Sequence, residues 1–158
     1  MVIGIIGENC SGKSTLAVRI QEAIGAEIIT GKDYLRTARS ASEAGRLFRE
    51  RLKAAVDGSN IIYVISEPDQ LGLLPEGSVR ILVRADLDTI KKRFRERMRG
   101  TLPAPVEKML ERKHGMFDGV PCDLRFDGAE GDPVALCGQL VRQMASGQGG
   151  RDPERTDL

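Results

Sequence analysis

Eight consecutive residues, Gly7-Glu8-Asn9-Cys10-Ser11-Gly12-Lys13-Ser14, combine residue types and spacing suited to one kind of chemistry. They fit G-x-x-x-x-G-K-[ST], in which glycines at both ends let the backbone curl until successive N–H groups point inward at phosphate oxygens. A lysine after the second glycine reaches the β- and γ-phosphates of a nucleoside triphosphate, and the hydroxyl that follows ligates Mg²⁺. The pattern assigns Gly7, Asn9, Cys10, Ser11, Gly12, Lys13, Ser14 and Thr15 to nucleotide binding. Lys13 is also a charge stabiliser and Ser14 a metal ligand. Cys10 reads as a passive position of the loop, and its alkylation is expected to block nucleotide.

Such a loop needs a strand before it and a helix after it. Val2 to Ile6 is a short apolar run dense in β-branched residues, which reads as a buried strand. Leu16, Ala17, Ile20 and Ile24 recur at helical spacing over Ser14 to Ile24, and Gly25 caps that helix. Ala26 to Thr30 reads as a second strand ending in Gly31-Lys32-Asp33. Ser40 to Val56 is an amphipathic helix with Ala44, Leu47, Phe48, Leu52 and Ala55 on its apolar face. Asn60 to Ile65 is the most apolar run and reads as a central strand stopped by Pro68. Val79 to Val83 is a fourth strand, with Asp86 or Asp88 starting a helix that runs to about Arg99. Gly100 to Pro105 breaks it, and a shorter helix follows through Lys113. Leu124 to Phe126 is a final strand and Pro133 to Met144 a final helix. Strands alternating with helices predict an α/β fold: a five-stranded parallel sheet covered on both faces, three layers in all. Residues 1–144 form the expected domain, and residues 145–158 a polar C-terminal tail.

The strand-loop-helix start and the late Arg-rich helix resemble the small-molecule kinase branch of the P-loop fold, which includes adenylate, guanylate, cytidylate, dephospho-coenzyme A and shikimate kinases. A second likeness spans Leu82 to Arg97, similar to the family's strand, acidic helix start and R-x-x-x-R pair leading into a short lid. A third is Cys122-Asp123-Leu124-Arg125-Phe126-Asp127, similar to the family's last strand, A-D-x-V-I-D. The resemblance covers the order of elements from Val2 to about Met144. Helical geometry puts Leu87, Ile90, Phe94 and Met98 on one face, Arg93 and Arg97 on one flank, and Arg95 and Arg99 on the other. The resemblance selects Arg93 and Arg97 as the pair that stabilises charge on the transferring phosphoryl and closes the lid. It places the loop from Gly128 to Pro133 beside the base. The sequence departs from the family at the end of the third strand, where Ile65 leads into Ser66-Glu67-Pro68, and the Gly-Gly-Gly turn of shikimate kinases is absent.

Glu67 can serve there as the metal-linked carboxylate, or can simply start a helix at the surface. The acceptor side is expected beyond the second strand. Asp33 there can accept a hydrogen bond from an acceptor hydroxyl or act as general base, with Lys32, Arg36 and Arg39 gripping an anionic acceptor. Tyr34 and Phe48 read as packing residues, Cys122 and Cys137 as buried packing, and His114 as a surface group or helix-end dipole partner.

Composition narrows the classes. Twenty-four basic residues stand against 23 acidic, a net of +1, and aromatics are 4% with no Trp. That argues against an electrostatic or base-stacking nucleic-acid binder. The 17 Arg against 7 Lys favour bidentate grip on phosphate and carboxylate. No apolar run approaches a membrane span, and three scattered cysteines make no disulfide framework. The expectation is a cytoplasmic enzyme using ATP and Mg²⁺ to phosphorylate a small, anionic or nucleotide-like acceptor. The alternative is a nucleotide-binding switch or NTPase module with no small-molecule acceptor. The sequence leaves the oligomeric state open.

Overall fold

The computed structural model describes residues 1–146; residues 147–158, most of the expected tail, lie outside the described residues. The strands are β1 (Val2–Ile6), β2 (Glu27–Thr30), β3 (Ile61–Ile65), β4 (Val79–Arg84) and β5 (Leu124–Asp127). The helices are α1 (Lys13–Ile24), α2 (Ala41–Ala55), α3 (Leu87–Arg97), α4 (Ala104–Lys113) and α5 (Pro133–Ala145). All five strands are parallel, in the order β2-β3-β1-β4-β5. The predicted α/β sheet and its layers stand.

Every residue of β1 and β3 is buried, which explains why both read as unbroken apolar runs. Alternate residues serve opposite faces. Ile3 and Ile5 of β1 pack with Leu16 and Ile20 of α1 and with Leu136 and Leu140 of α5. Val2 and Ile6 pack on the other side with Phe48 and Leu52 of α2, and with Leu73, Leu74 and Phe117. Gly4 faces that second layer, where a Cβ would come within 2.5 Å of Leu74 Cδ1. β5 is fixed beside β4 by Asp123, whose carboxylate accepts from the Arg80 amide at 2.8 Å.

Capping sets the helix starts. Ser40 accepts from the Glu43 amide at α2, Asp86 from Thr89 at α3, and Asp132 from Val134 at α5. Of the two candidate starts for α3, Asp86 is the cap. α3 ends at Arg97 instead of Arg99, because Arg99 and Gly100 take left-handed backbone angles and the Gly100 amide returns to the Arg95 carbonyl. Met98 therefore leaves the predicted apolar stripe and is 38% exposed. Leu47 is a second correction: it lies at the flank of the α2 face and is 37% exposed. Cys122 and Cys137 are half-buried at the edges of the two cores instead of fully buried. Two 3-10 turns, Asp33–Thr37 and Pro68–Leu73, occupy segments read as connections. Ala145, expected to open the tail, closes α5.

Candidate nucleotide site

The order of strands puts β1 between β3 and β4, so the loop after β1 emerges where chain connections diverge to either side. Gly7 leaves the sheet with its amide donating to the Ile65 carbonyl at 3.1 Å. A Cβ at Gly7 would stand 2.7 Å from both Ser11 Oγ and the Val83 carbonyl, so only glycine fits. The Ser11 amide closes back on the Glu8 carbonyl at 3.1 Å, and Cys10 (φ 64°) and Gly12 (φ 109°) are left-handed. Those angles curl the loop and lead into α1 at Lys13.

Lys13 is 5% exposed, and its ammonium donates to the Glu8 carbonyl at 2.8 Å. Burial pushes its pKa down to about 8; nearby Cys10 and Glu8 oppose the fall, and Arg97 adds to it. Ser11 Oγ is buried without a hydrogen-bond partner among the described residues. α1 has no side-chain cap, unlike α2, α3 and α5, and no acidic residue in its first turn. Its first amides and dipole are thus open to an anion. A buried cation, an orphaned hydroxyl and an uncapped helix start fit a polyphosphate. Ser14 and Thr15 are exposed in that first turn, and Asn9 is half-buried.

Arg93 approaches from α3. Nη1 donates to the Cys10 carbonyl at 3.1 Å and Nη2 to the Gly128 carbonyl at 2.8 Å. Gly128, just after β5, lies flat against the loop: a Cβ there would be 1.6 Å from the Ser11 carbonyl. Arg97 is exposed, on the side that bears on Lys13. The structure thus brings Lys13, Arg93, Arg97 and the loop residues together.

Glu67, two residues past the end of β3 that takes the Gly7 amide, is paired outside that group, and Asp33 lies beyond the end of β2. The Glu67 carboxylate pairs with Lys113 Nζ at 3.1 Å, and the buried Gln70 accepts from the Ser66 and Glu67 amides. Asp33 opens the first 3-10 turn and lines a cavity of about 310 Å³ beside β2, with Ile28, Ile29, Tyr34 and Phe48. Tyr34 and Phe48 stack, as packing residues should. Tyr63 steadies the approach to that turn: its hydroxyl donates to the Gly31 carbonyl at 2.7 Å, and burial pushes its pKa up. Lys32, Arg36 and Arg39 are exposed. Among the described residues no three or more His, Cys, Asp or Glu side chains form a metal site. Mg²⁺ carried with a nucleotide takes most of its ligands from phosphates and water, and Ser14 fits as the loop's own donor.

Sequence reasoning missed the frame around the loop. Glu8 Oε1 lies 3.1 Å from His114 Nδ1, and Oε2 accepts from the Gly115 amide at 3.3 Å. Both Glu8 and His114 border a cavity of about 680 Å³ that reaches Asp86, Thr89 and Asp127. The charged residue at the loop's second position was the single sequence signal for this contact.

No family profile and no curated protein sequence matches the chain. Solved structures do. A sugar kinase from a Janibacter species is 17% identical at a TM-score of 0.60, covering 91% of this chain and 94% of that one. A gluconokinase from Sinorhizobium meliloti is 16% identical at 0.58, covering 94% and 97%. A shikimate kinase from Acinetobacter baumannii, in complex with shikimate, is 14% identical at 0.57, covering 94% and 95%. The chain shares the fold of the P-loop small-molecule kinases, as its motifs implied. No described helix is long and apolar enough to cross a membrane.

Proposed function

We propose that the protein is an ATP-dependent phosphotransferase that moves the γ-phosphoryl group of Mg-ATP to a small, anionic or nucleotide-like acceptor. The observation that carries the reading is the convergence of buried Lys13 and the Arg93 and Arg97 side of α3 on an uncapped phosphate loop. The kinase names of the structural neighbours support it.

The loop amides and the α1 N-terminus hold the phosphates, and Lys13 moves from the Glu8 carbonyl to a β- or γ-phosphate oxygen. Ser14 would ligate Mg²⁺, which would neutralise charge on the phosphates. Glu67, now paired with Lys113, would supply the metal-linked carboxylate. Arg97 spreads charge on the transferring group, and Arg93 holds the cradle closed from the side of α3. Asp33 takes the proton of the acceptor hydroxyl. The three free cysteines suit a reducing, cytoplasmic setting.

The test is coupled ADP release from Mg-ATP, with and without pools of nucleoside monophosphates, nucleosides, sugars and hydroxy acids. A pool that raises the rate in the native protein and has no effect in Lys13→Ala supports a kinase. Tight ATP binding with a flat response to every pool overturns it in favour of a nucleotide switch.

A further inference from the structure

The phosphate loop is gripped from outside at two nearby residues, by the two arms of one hairpin. α3 begins after β4, α4 returns from the tip, and Lys91 braces the two through Glu107 at 3.3 Å and Glu111 at 2.7 Å. From the α3 arm, Arg93 Nη1 holds the Cys10 carbonyl. From the end of α4, His114 and the Gly115 amide hold both oxygens of the Glu8 carboxylate. Asn9 lies between the two grips. A third tie, Lys113 to Glu67, fastens the same end of α4 to the end of β3.

The grips act on the groups that shape the cradle. The Cys10 carbonyl can face Arg93 because Cys10 is left-handed, the angle that also curls the loop. Glu8 offers its carbonyl to Lys13 Nζ and the Ser11 amide while its carboxylate is held by the hairpin. Arg93 Nη2 extends the hold to Gly128, whose backbone is pressed against Ser11.

We infer that the α3–α4 hairpin is an external frame of the phosphate loop, with Arg93 and Glu8 as its positioning residues. The hairpin up to Arg93 on α3 and the loop then move as one body, and closure over a ligand is confined to the tip at 98–103, beyond that grip. Arg93 accordingly preorganises the cradle, and charge on the phosphates falls to Arg97. The inference rests on the proposed nucleotide site for its consequence, but its core is a property of the free protein.

Amide hydrogen exchange on the full chain tests it, first without ligand and then with saturating Mg-ADP. Arg93→Gln should speed exchange about tenfold in peptides covering 8–14 and 127–131 and weaken Mg-ADP binding about tenfold, the scale of one charge-assisted contact. Arg93→Lys, which keeps the charge and loses the fork, should fall between. Arg97→Gln should leave ligand-free exchange unchanged. In the native protein Mg-ADP should slow exchange at 113–116, which lies outside the cradle. Exchange in both loop peptides within twofold of native for Arg93→Gln overturns the frame, as does Mg-ADP protection confined to 7–15. If Arg93→Gln does not fold, the Arg93→Lys comparison decides by the same criteria. If Mg-ADP does not bind, the kinase reading fails, and the ligand-free exchange still judges the frame.

Discussion

The ends of β1 and β2 lie two strands apart in one sheet and are finished in opposite ways. After β1 the chain is over-determined: Gly7, Gly12 and Gly128 have no room for a Cβ without crowding, and Lys13 is buried. Side chains from 83 and 106 residues away hold the loop. After β2 the chain makes a 3-10 turn in which Asp33, Arg36 and Thr37 are exposed, and Asp33 and Thr37 border a cavity. The first region has its backbone fixed by close packing from several elements. The second presents exposed side chains without that backbone crowding.

The sharpest way to break this contrast is Lys13→Ala. Loss of the one buried cation among the described residues should lower ADP release by roughly 10³-fold, measured by the coupled assay, with the fold intact by circular dichroism. A mutant within tenfold of native would remove the loop from the chemistry.

Gly128→Ala comes next, because its Cβ has to displace the Ser11 carbonyl. We expect a loss of about 3 kcal/mol, a fall in Tm of roughly 10 °C, in thermal melts. The same change at Gly45, which has open space around it, should cost nothing.

The pKa of Lys13 gives a third test. Folding lowers it from 10.5 to about 8. Between those values the unfolded chain binds more protons than the folded one, so stability contributed by this site rises with pH across the window. Below about 8 the folded state bears the full cost of a buried charge, on the order of 3 kcal/mol. Lys13→Met should therefore raise ligand-free stability at pH 7, and the gain should vanish toward pH 10.5. Nucleotide affinity of the native protein should fall as pH rises through 8. A gain independent of pH would sink the assignment.

Asp33→Asn probes the open region. The acceptor-stimulated rate should fall roughly 10²-fold while ADP affinity stays unchanged. Equal loss of both would join the two regions into one site. The smallest effect belongs to the helix starts: Ser40→Ala should cost about 1 kcal/mol in denaturant unfolding, because α2, unlike α1, has its first amides satisfied by a side chain.

Most of the sheet was legible because its central strands are buried on both faces, and an apolar run bounded by Gly, Pro or Asp is what that environment requires. The 3-10 turns were not, since three residues per turn over five or six residues leaves no apolar period to detect. Met98 misled because helical spacing continues past the left-handed stop at Arg99. In the site, Lys13 and its neighbours were readable from spacing alone, because a cradle for phosphate is a local backbone shape. Arg93 was found as a cation, yet its partners are carbonyl oxygens, whose directions no residue type encodes. The Glu8 grip joins positions 106 and 107 residues apart, and only the fold brings them together.

That separation bears on how the protein comes into being. The motif is complete at Ser14, but its supports arrive with Arg93, His114 and finally Gly128. β1 itself has no partner until β3, some sixty residues later. A growing chain thus carries its signature sequence well before it acquires the contacts that shape the loop, the last of which come when β5 closes the sheet edge. Nascent chains arrested before residue 128 should hold the motif and fail to retain nucleotide.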